Sequence, residues 1–426
     1  MVKMQLKVLG GGHEVGRAAI AVGSKGRYIL MDYGVNFSEE DIPQLPDHIK
    51  PSELEAVAIT HAHLDHIGAA PFLYTTAQLP ILMTSITKEL GKLMIQDFLK
   101  LSGYYLPFEQ VDLEVMLDNV VDVTYGKQYE FGDFKIQFIN AGHIPGSGMI
   151  YVDVDGVKVL YTGDVNTVDT RLVKGAVLTG VRADVLVIEG TYGNSTHPPR
   201  DVIEKEFIES VKEVVENGGN VLVPSFSLGR SQEIMSLLAE RCDDAHVFFD
   251  GMVRVITELM VSHPEFIHKY DLLTKAVEEF KAVRNSGDRR RIVKGKGNII
   301  VSSAGMLKGG PAQYYIKKLG GNPKNAVFMV SYQAPNTPGR KLLETGKLGD
   351  EGSPTIKARL QWFDFSSHAG VDGLMELASS VTGLKKIVVV HSDENVGSAF
   401  KERLGDIVGE ENVFFPTNGE VLTFDL

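Results

Sequence analysis

The sequence predicts an α/β chain in two parts, a β-rich domain split by an inserted α/β domain. Three observations carry that expectation. Between about 194 and 353, strand–helix units repeat with a glycine at each turn: Asn220–Val223 before Gly229, His246–Phe249 before Gly251, and Asn298–Val301 before Gly309. Upstream of them, short β-branched runs dominate. The length, 426 residues, is too great for one ordinary domain and suits two with separate cores.

Taken in order, Gln5–Leu9, Ala18–Val22, Tyr28–Met31, Ala56–Thr60 and Ile81–Met83 read as early strands. Tyr129–Ile139, Met149–Val154 and Val157–Tyr161 form a β-rich middle, and Asp155-Gly156 between the last two is a hairpin turn. Val185–Ile188 reads as a buried strand. Past Asn194-Ser195-Thr196-His197-Pro198-Pro199, a helix is expected from about Asp201 to Glu216, with apolar Val202, Phe207, Val211 and Val214. Asn217-Gly218-Gly219 stops it. After the strand–helix repeats, a loop rich in glycine and proline is expected from Ala334 to Pro354. A strand at Ile356–Phe363, a helix after Gly370 and a final strand at Lys386–Val390 complete the reading.

Composition narrows the class. With 43% hydrophobic and 23% charged residues, the chain is globular rather than disordered. Cys242 is the only cysteine, which excludes an internal disulfide or a cysteine-rich zinc knuckle and points to the cytoplasm. No apolar run approaches the roughly 20 residues of a membrane helix, and the first residues lack a signal-peptide core, so no membrane partner is expected. A net charge of −12 argues against indiscriminate nucleic-acid binding, yet a local basic groove can coexist with it.

Thr60-His61-Ala62-His63-Leu64-Asp65-His66-Ile67-Gly68 carries the chemistry. Imidazole and carboxylate suit zinc, manganese or iron, and four such ligands stand within six residues after a buried strand. In an extended loop His61 and His63 project to one side and can share a metal, while Asp65 and His66 can turn toward a second. A zinc catalytic site needs at least three ligands and an open position, so the remainder must come from elsewhere. His143 in Ala141-Gly142-His143, Asp164 in Tyr161-Thr162-Gly163-Asp164, and His391 after Ile387–Val390 are of the right type, each at a strand end.

These residues together resemble a known family. Asp32, the His61/His63/Asp65/His66 cluster, His143 and Asp164 are similar, in order, to the four motifs of the metallo-β-lactamase superfamily. Glu189, His368 and His391 resemble the three further motifs of the β-CASP nucleases, and the likeness runs from about Leu9 to His391. Supporting segments are Pro224–Glu233, Ser302–Leu307, Tyr332-Gln333-Ala334 and Gly339-Arg340. Within that group the chain is most similar to the short archaeal homologues of the cleavage and polyadenylation specificity factor endonuclease. It is therefore expected to lack the amino-terminal KH domains of the longer forms.

The resemblance implies a four-layer αβ/βα metallo-β-lactamase domain at 1–193 and 354–426, with a β-CASP domain inserted at 194–353. It implies two Zn²⁺ ions: one held by His61, His63 and His143, the other by Asp65, His66 and His391, with Asp164 bridging both. It further implies a zinc-dependent ribonuclease in RNA processing or decay. Hydroxide at the paired ions attacks phosphorus in line, and His368, held by Glu189, protonates the leaving oxygen. Asp32 orients the ligand loop. RNA is the expected substrate rather than DNA, because DNA-repair members generally replace the last histidine by an aliphatic residue. A homodimer is expected by analogy, and endonuclease and 5′–3′ exonuclease action both stay open. One departure concerns the loop after the last ligand: His391-Ser392-Asp393 stands where the family usually has His-Gly-Glu.

Other signals are weaker. Gly10-Gly11-Gly12-His13-Glu14-Val15-Gly16 imitates a dinucleotide fingerprint, but its glycine spacing fails and a strand rather than a helix follows; a backbone turn beneath the metal site fits better. Lys281–Arg284, Arg289-Arg290-Arg291 and Lys294–Lys296 form a dense basic stretch, either an RNA backbone track or a solvated surface. Arg230, Ser303, Arg340 and Ser367 are candidate phosphate contacts, with a structural role the alternative for both arginines. Trp362 reads as core, with base stacking as its other reading. Two rival functions use the same early motifs: a metallo-hydrolase of small esters or thioesters, and a non-catalytic RNA-binding paralogue.

Overall fold

The computed structural model describes residues 3–349 and 353–426, which divide into two compact units. The first comprises residues 3–169, 174–196 and 367–426, and the second 170–173 and 197–366.

The first unit holds two seven-stranded sheets. One runs Val421–Asp425, Lys3–Gly10, Ala19–Ser24, Arg27–Met31, Leu54–Ala58, Ile81–Met83, Val120–Asp122. The other runs Val413–Phe414, Lys386–Val390, Val185–Glu189, Val157–Tyr161, Gly148–Val154, Phe134–Asn140, Gln128–Phe131. Alternation sorts their side chains. Ile20, Val22, Val187, Val388 and Val390 meet between the sheets. Ala19, Ala21 and Leu30 face outward with Ile67 and Phe98 of two helices, while Leu186, Ile387 and Val389 face Leu374 and Leu404 of two others. Both faces of each central strand are therefore apolar, which is why these strands read as continuous hydrophobic runs. The layers are helix, sheet, sheet, helix.

The second unit is a six-stranded parallel sheet, Lys281–Ala282, His246–Asp250, Asn298–Ser302, Val221–Pro224, Ala326–Met329, Arg359–Trp362. Val221, Val223 and Val301 pack on one face and Leu222, Ile300 and Met329 on the other. Its end lies at Ser366, beyond the expected 353, because Arg359–Trp362 pairs with Ala326–Met329 in this sheet.

Several local readings change. The expected Tyr129–Ile139 run is two strands joined at Gly132-Asp133, with Gly132 at φ 55°. Asp155 and Gly156 both take positive φ, as a tight hairpin turn requires. Of the expected loop Ala334–Pro354, residues 350–352 lie outside the described residues, and Pro338–Thr345 within it is a helix. Its start is capped by the Thr337 hydroxyl and its end by Gly346 in the left-handed region, so proline and glycine here mark helix ends. Lys386–Val390 is not the last strand: Val421–Asp425 returns to pair antiparallel with Lys3–Gly10.

One ion cluster anchors the short segment Thr170–Val173 in the second unit. Arg171, 6% exposed, bonds both oxygens of Glu204 at 2.6 and 3.0 Å and also reaches Glu240 and Glu233. Arg200 pairs with Glu204 and Glu233. The backbone N–H groups of Arg171 and Leu172 donate to Glu233 at 3.3 and 3.1 Å. Arg171→Ala strips the central cation from three carboxylates. It is expected to cost about 3–5 kcal/mol, read as a shift of the urea unfolding midpoint at unchanged slope.

Candidate metal centre

The candidate ligands stand at the carboxyl ends of strands, where an α/β sheet presents functional groups. Leu54–Ala58 leads to His61, Phe134–Asn140 to His143, Val157–Tyr161 to Asp164 and Lys386–Val390 to His391, while Glu189 is the last residue of its own strand. A short helix, Leu64–Ile67, begins after His63 and carries Asp65 and His66. That loop and helix are pinned by backbone bonds from Ala18 to Asp65, Tyr33 to His66 and Val35 to Leu64, at 2.8–2.9 Å. Gly34 lies so close that a Cβ there would stand 1.7 Å from the Asp65 carbonyl oxygen.

Two donor sets share one carboxylate. His61, His63, His143 and Asp164 form one, and Asp65, His66, Asp164 and His391 the other, with the donor atoms of each set within 4.8 Å of one another. In the first, His63 Nδ1 lies 3.1 Å from His61 Nε2 and 3.2 Å from His143 Nε2, and Asp164 Oδ2 is 3.5 Å from both Nε2 atoms. A tetrahedral zinc site with bonds of about 2.0–2.1 Å has donor–donor edges of roughly 3.3–3.4 Å. The observed edges bracket that length.

The tautomers that these hydrogen bonds imply leave nitrogens that suit a cation. Thr60 Oγ1 gives its proton to Asp32 Oδ2, so at 3.0 Å it accepts from His61 Nδ1–H. His143 Nδ1–H donates to the Ser367 carbonyl at 2.9 Å. His66 Nδ1–H donates to Asp32 Oδ2 at 2.7 Å. Each ring therefore turns Nε2 inward. Against His63 Nδ1, two such lone pairs converge and one proton at most can be shared, so the set repels itself unless a cation sits among the nitrogens. Burial and the neighbouring histidines hold His61 and His143 well below ordinary imidazole values, in the neutral form that ligates.

The second set asks for positive charge too. His66 Nε2, His391 Nε2 and Asp164 Oδ1 are buried with no hydrogen-bond partner among the described residues. His66 resists protonation through burial, yet Asp164, Asp32 and Asp65 together hold it well above its ordinary value. His391 Nε2 lies 3.4 Å from Asp65 Oδ2. Buried carboxylates so placed require a compensating cation.

Asp32 is a member of neither donor set. It accepts from Thr60 N–H and hydroxyl, Tyr161 hydroxyl and His66 at 2.7–3.0 Å, all fully buried. Thr60 and Tyr161 are the supporting residues that the sequence reading passed over. His368 stands beside the first set: its Nδ1 bonds Glu189 at 2.9 and 3.1 Å, and its Nε2 lies 3.8 Å from Asp164 Oδ2. Burial opposes its charge, but Glu189 and Asp164 outweigh that and raise its pKa to about 9. Glu189 also accepts from Val165 N–H at 2.8 Å, tying the same carboxylate to the Asp164 loop.

The remaining candidates divide. Ser367 acts through its carbonyl on His143. Within the second unit, Arg289 is committed to buried Asp250 at 2.7 and 3.0 Å, whereas Arg290 and Arg291 are exposed on the helix Ser286–Lys294. Arg340 pairs with Glu344, Arg230 opens the helix Arg230–Arg241, and Ser303 is buried after the strand Asn298–Ser302. Trp362 is not core: it is 45% exposed at a sheet edge.

The chain matches the metallo-beta-lactamase superfamily over residues 15–225, the Beta-Casp domain over 231–342, and a Zn-dependent metallo-hydrolase RNA specificity domain over 353–416. It is 49% identical to the protein named RNase aCSPSF2 of Saccharolobus solfataricus, over 98% of this chain and 85% of that one. The chain belongs to the β-CASP family of the metallo-β-lactamase superfamily. A further relative, named probable RNase MJ4, of Methanocaldococcus jannaschii is 36% identical over 92% of this chain and 94% of its own. A solved structure from Enterococcus faecalis V583, of unknown function, shares the fold at a TM-score of 0.62 and 12% identity, covering 99% of this chain and all of that one.

The β-CASP departure after the last ligand has a local explanation. Ser392 is fully buried and donates to the Gly190 carbonyl at 2.7 Å, which closes the turn from the side. His391 N–H donates to the Gly11 carbonyl at 2.6 Å, so the glycine turn near the amino terminus does lie beneath the site. Among the described residues, no helix is long and apolar enough to cross a membrane.

Proposed function

We propose that this chain is a two-zinc ribonuclease that hydrolyses RNA phosphodiester bonds. One observation carries the reading: two donor sets joined at Asp164, with the Nε2 of His368 3.8 Å from the shared carboxylate. Divalent ions held there lower the pKa of water toward neutrality and offset the charge of a phosphate. His61, His63, His143 and Asp164 would hold one, Asp65, His66, His391 and Asp164 the other. His368, oriented by Glu189, gives its Nε2 proton to the leaving sugar oxygen, and Asp32 keeps Thr60 and the ligand loop in place. The two relatives are named as RNases, which supports RNA as the substrate. Exposed Arg290 and Arg291 are proposed to meet the RNA backbone. Cys242 as the sole thiol fits a reducing cytoplasm, and a homodimer is the proposed assembly.

One RNA in three forms tests the function: 5′-monophosphate, 5′-triphosphate and circular. Cutting of the circle, abolished by chelator and restored by zinc, is the expected result for an endonuclease. Mononucleotide release from the monophosphate form alone would make the enzyme a 5′–3′ exonuclease. Turnover of a small ester with every RNA intact would defeat the proposal.

A further inference from the structure

We infer that Thr191 is the positioning residue of the second donor set: its hydroxyl holds the His391 ring so that Nε2, not Nδ1, is left for the ion. The inference rests on the two-ion centre proposed above and concerns the first unit alone.

The sheet sets this meeting up. Val185–Glu189 and Lys386–Val390 are parallel neighbours with Glu189 opposite Val390, so Gly190-Thr191 and His391 leave the sheet side by side. Gly190 N–H continues the ladder to the Val390 carbonyl at 3.0 Å. His391 then takes φ 52°, a left-handed conformation that residues other than glycine rarely adopt. Two bonds hold it there. Its N–H donates to the Gly11 carbonyl at 2.6 Å, and its own carbonyl accepts the Thr191 hydroxyl proton at 3.3 Å.

The same hydroxyl meets the ring. Thr191 Oγ1 lies 3.3 Å from His391 Nδ1, and because its one proton goes to the carbonyl, it accepts from Nδ1–H. That choice matters because both ring nitrogens stand beside carboxylates of the set. Nδ1 is 3.4 Å from Asp164 Oδ1, and Nε2 is 3.4 Å from Asp65 Oδ2. An ion takes one imidazole nitrogen and leaves the other its proton. Asp164 turns its two oxygens to the two donor sets, which leaves the Thr191 hydroxyl as the acceptor for Nδ1–H. Nε2, buried and without a hydrogen-bond partner, is the atom set free to ligate.

Thr191 also serves the acid, through its backbone. Its N–H donates to Glu189 Oε2 at 3.3 Å, and that carboxylate holds His368 Nδ1. Substitutions of the side chain keep this amide, so they separate support of the ligand from support of the acid. Branching at Cβ restricts the threonine rotamers, which helps to keep the hydroxyl on the ring.

Thr191→Val keeps the branched shape and removes the hydroxyl, whereas Thr191→Ser keeps the hydroxyl. Metal-free protein is titrated with zinc against a chromophoric chelator, and the wild type should take up two equivalents. Thr191→Val should bind one with wild-type affinity and the other about 10- to 100-fold more weakly. Thr191→Ser should recover most of that loss. Nitrogen-15 spectra of the zinc-loaded wild type should show the His391 ring protonated at Nδ1 and metal-bound at Nε2, its signals identified by their loss in His391→Ala. Thermal melting reports whether each variant folds, and the wild-type spectra test the inference even where Thr191→Val does not. Unchanged zinc binding in folded Thr191→Val, a Thr191→Ser as weak as Thr191→Val, or a His391 ring protonated at Nε2 overturns the inference. Both ions bound with the expected ring but RNA left intact removes the ribonuclease and keeps the role of Thr191. A wild type that takes up no zinc removes both.

Discussion

His368→Ala is expected to lower RNA cleavage by about 10²- to 10⁴-fold while the zinc content, measured by elemental analysis, stays at the wild-type level. His368 differs in surroundings from three of the candidate ligand histidines. Its side chain is 20% exposed where those of His61, His66 and His391 are nearly or wholly buried, and both oxygens of Glu189 occupy its Nδ1. Its Nε2 lies 3.8 Å from Asp164 Oδ2, on the side of the donor sets. With Glu189 and Asp164 outweighing burial, the ring carries a proton up to a pKa of about 9, and cations beside Asp164 would push that value back toward neutrality. An acid whose pKa lies near the working pH transfers its proton most effectively. The protonated ring is the active form, so rate is lost as pH rises through its pKa. Glu189→Gln removes the foremost favourable charge and should move the alkaline limb of the kcat profile to lower pH. Asp164, Glu189 and His368 could themselves hold an ion, and zinc lost together with activity in His368→Ala would make this histidine a ligand.

The division between what the sequence revealed and what it hid follows chemical rarity and distance along the chain. Four potential ligands between His61 and His66 are conspicuous because buried imidazoles and carboxylates are scarce. His143, Asp164 and His391 could be matched to vacancies of their type, but only the fold brings residues as far apart as 61 and 391 to one carboxylate. Thr60 and Tyr161 were hidden because a supporting hydroxyl looks like any other until the bonds to Asp32 exist. Trp362 was misread for a related reason. A mostly apolar segment such as Leu360–Phe363 shows that a strand is part of a sheet, yet not whether it lies at the edge, and the edge leaves Trp362 open. Arg289 looked like one of three equivalent cations, and buried Asp250 singles it out. The same limit hid Val421–Asp425, whose partner is the opposite end of the chain.

Asp164→Asn and His391→Ala should separate a joined centre from two independent ones. Asp164 is 3% exposed and offers Oδ2 to the His61 and His143 side at 3.5 Å, and Oδ1 to the His66 and His391 side at 3.2 and 3.4 Å. Burial alone would raise its pKa, but His66, His391 and His368 hold it well below the carboxylate range, so it stays an anion between the sets. The amide keeps the shape and removes the charge. Both ions are expected to be lost on dialysis, with a fall in zinc affinity larger than the roughly 10–100-fold typical of an outer hydrogen-bond partner, and cleavage should drop below detection. His391→Ala leaves the four-donor set of His61, His63, His143 and Asp164 untouched and reduces the other to three, so one ion should remain while cleavage is lost. Equal zinc content in the two variants would mean that the carboxylate does not couple the sites, and a two-ion chemistry centred on Asp164 would then have no structural basis.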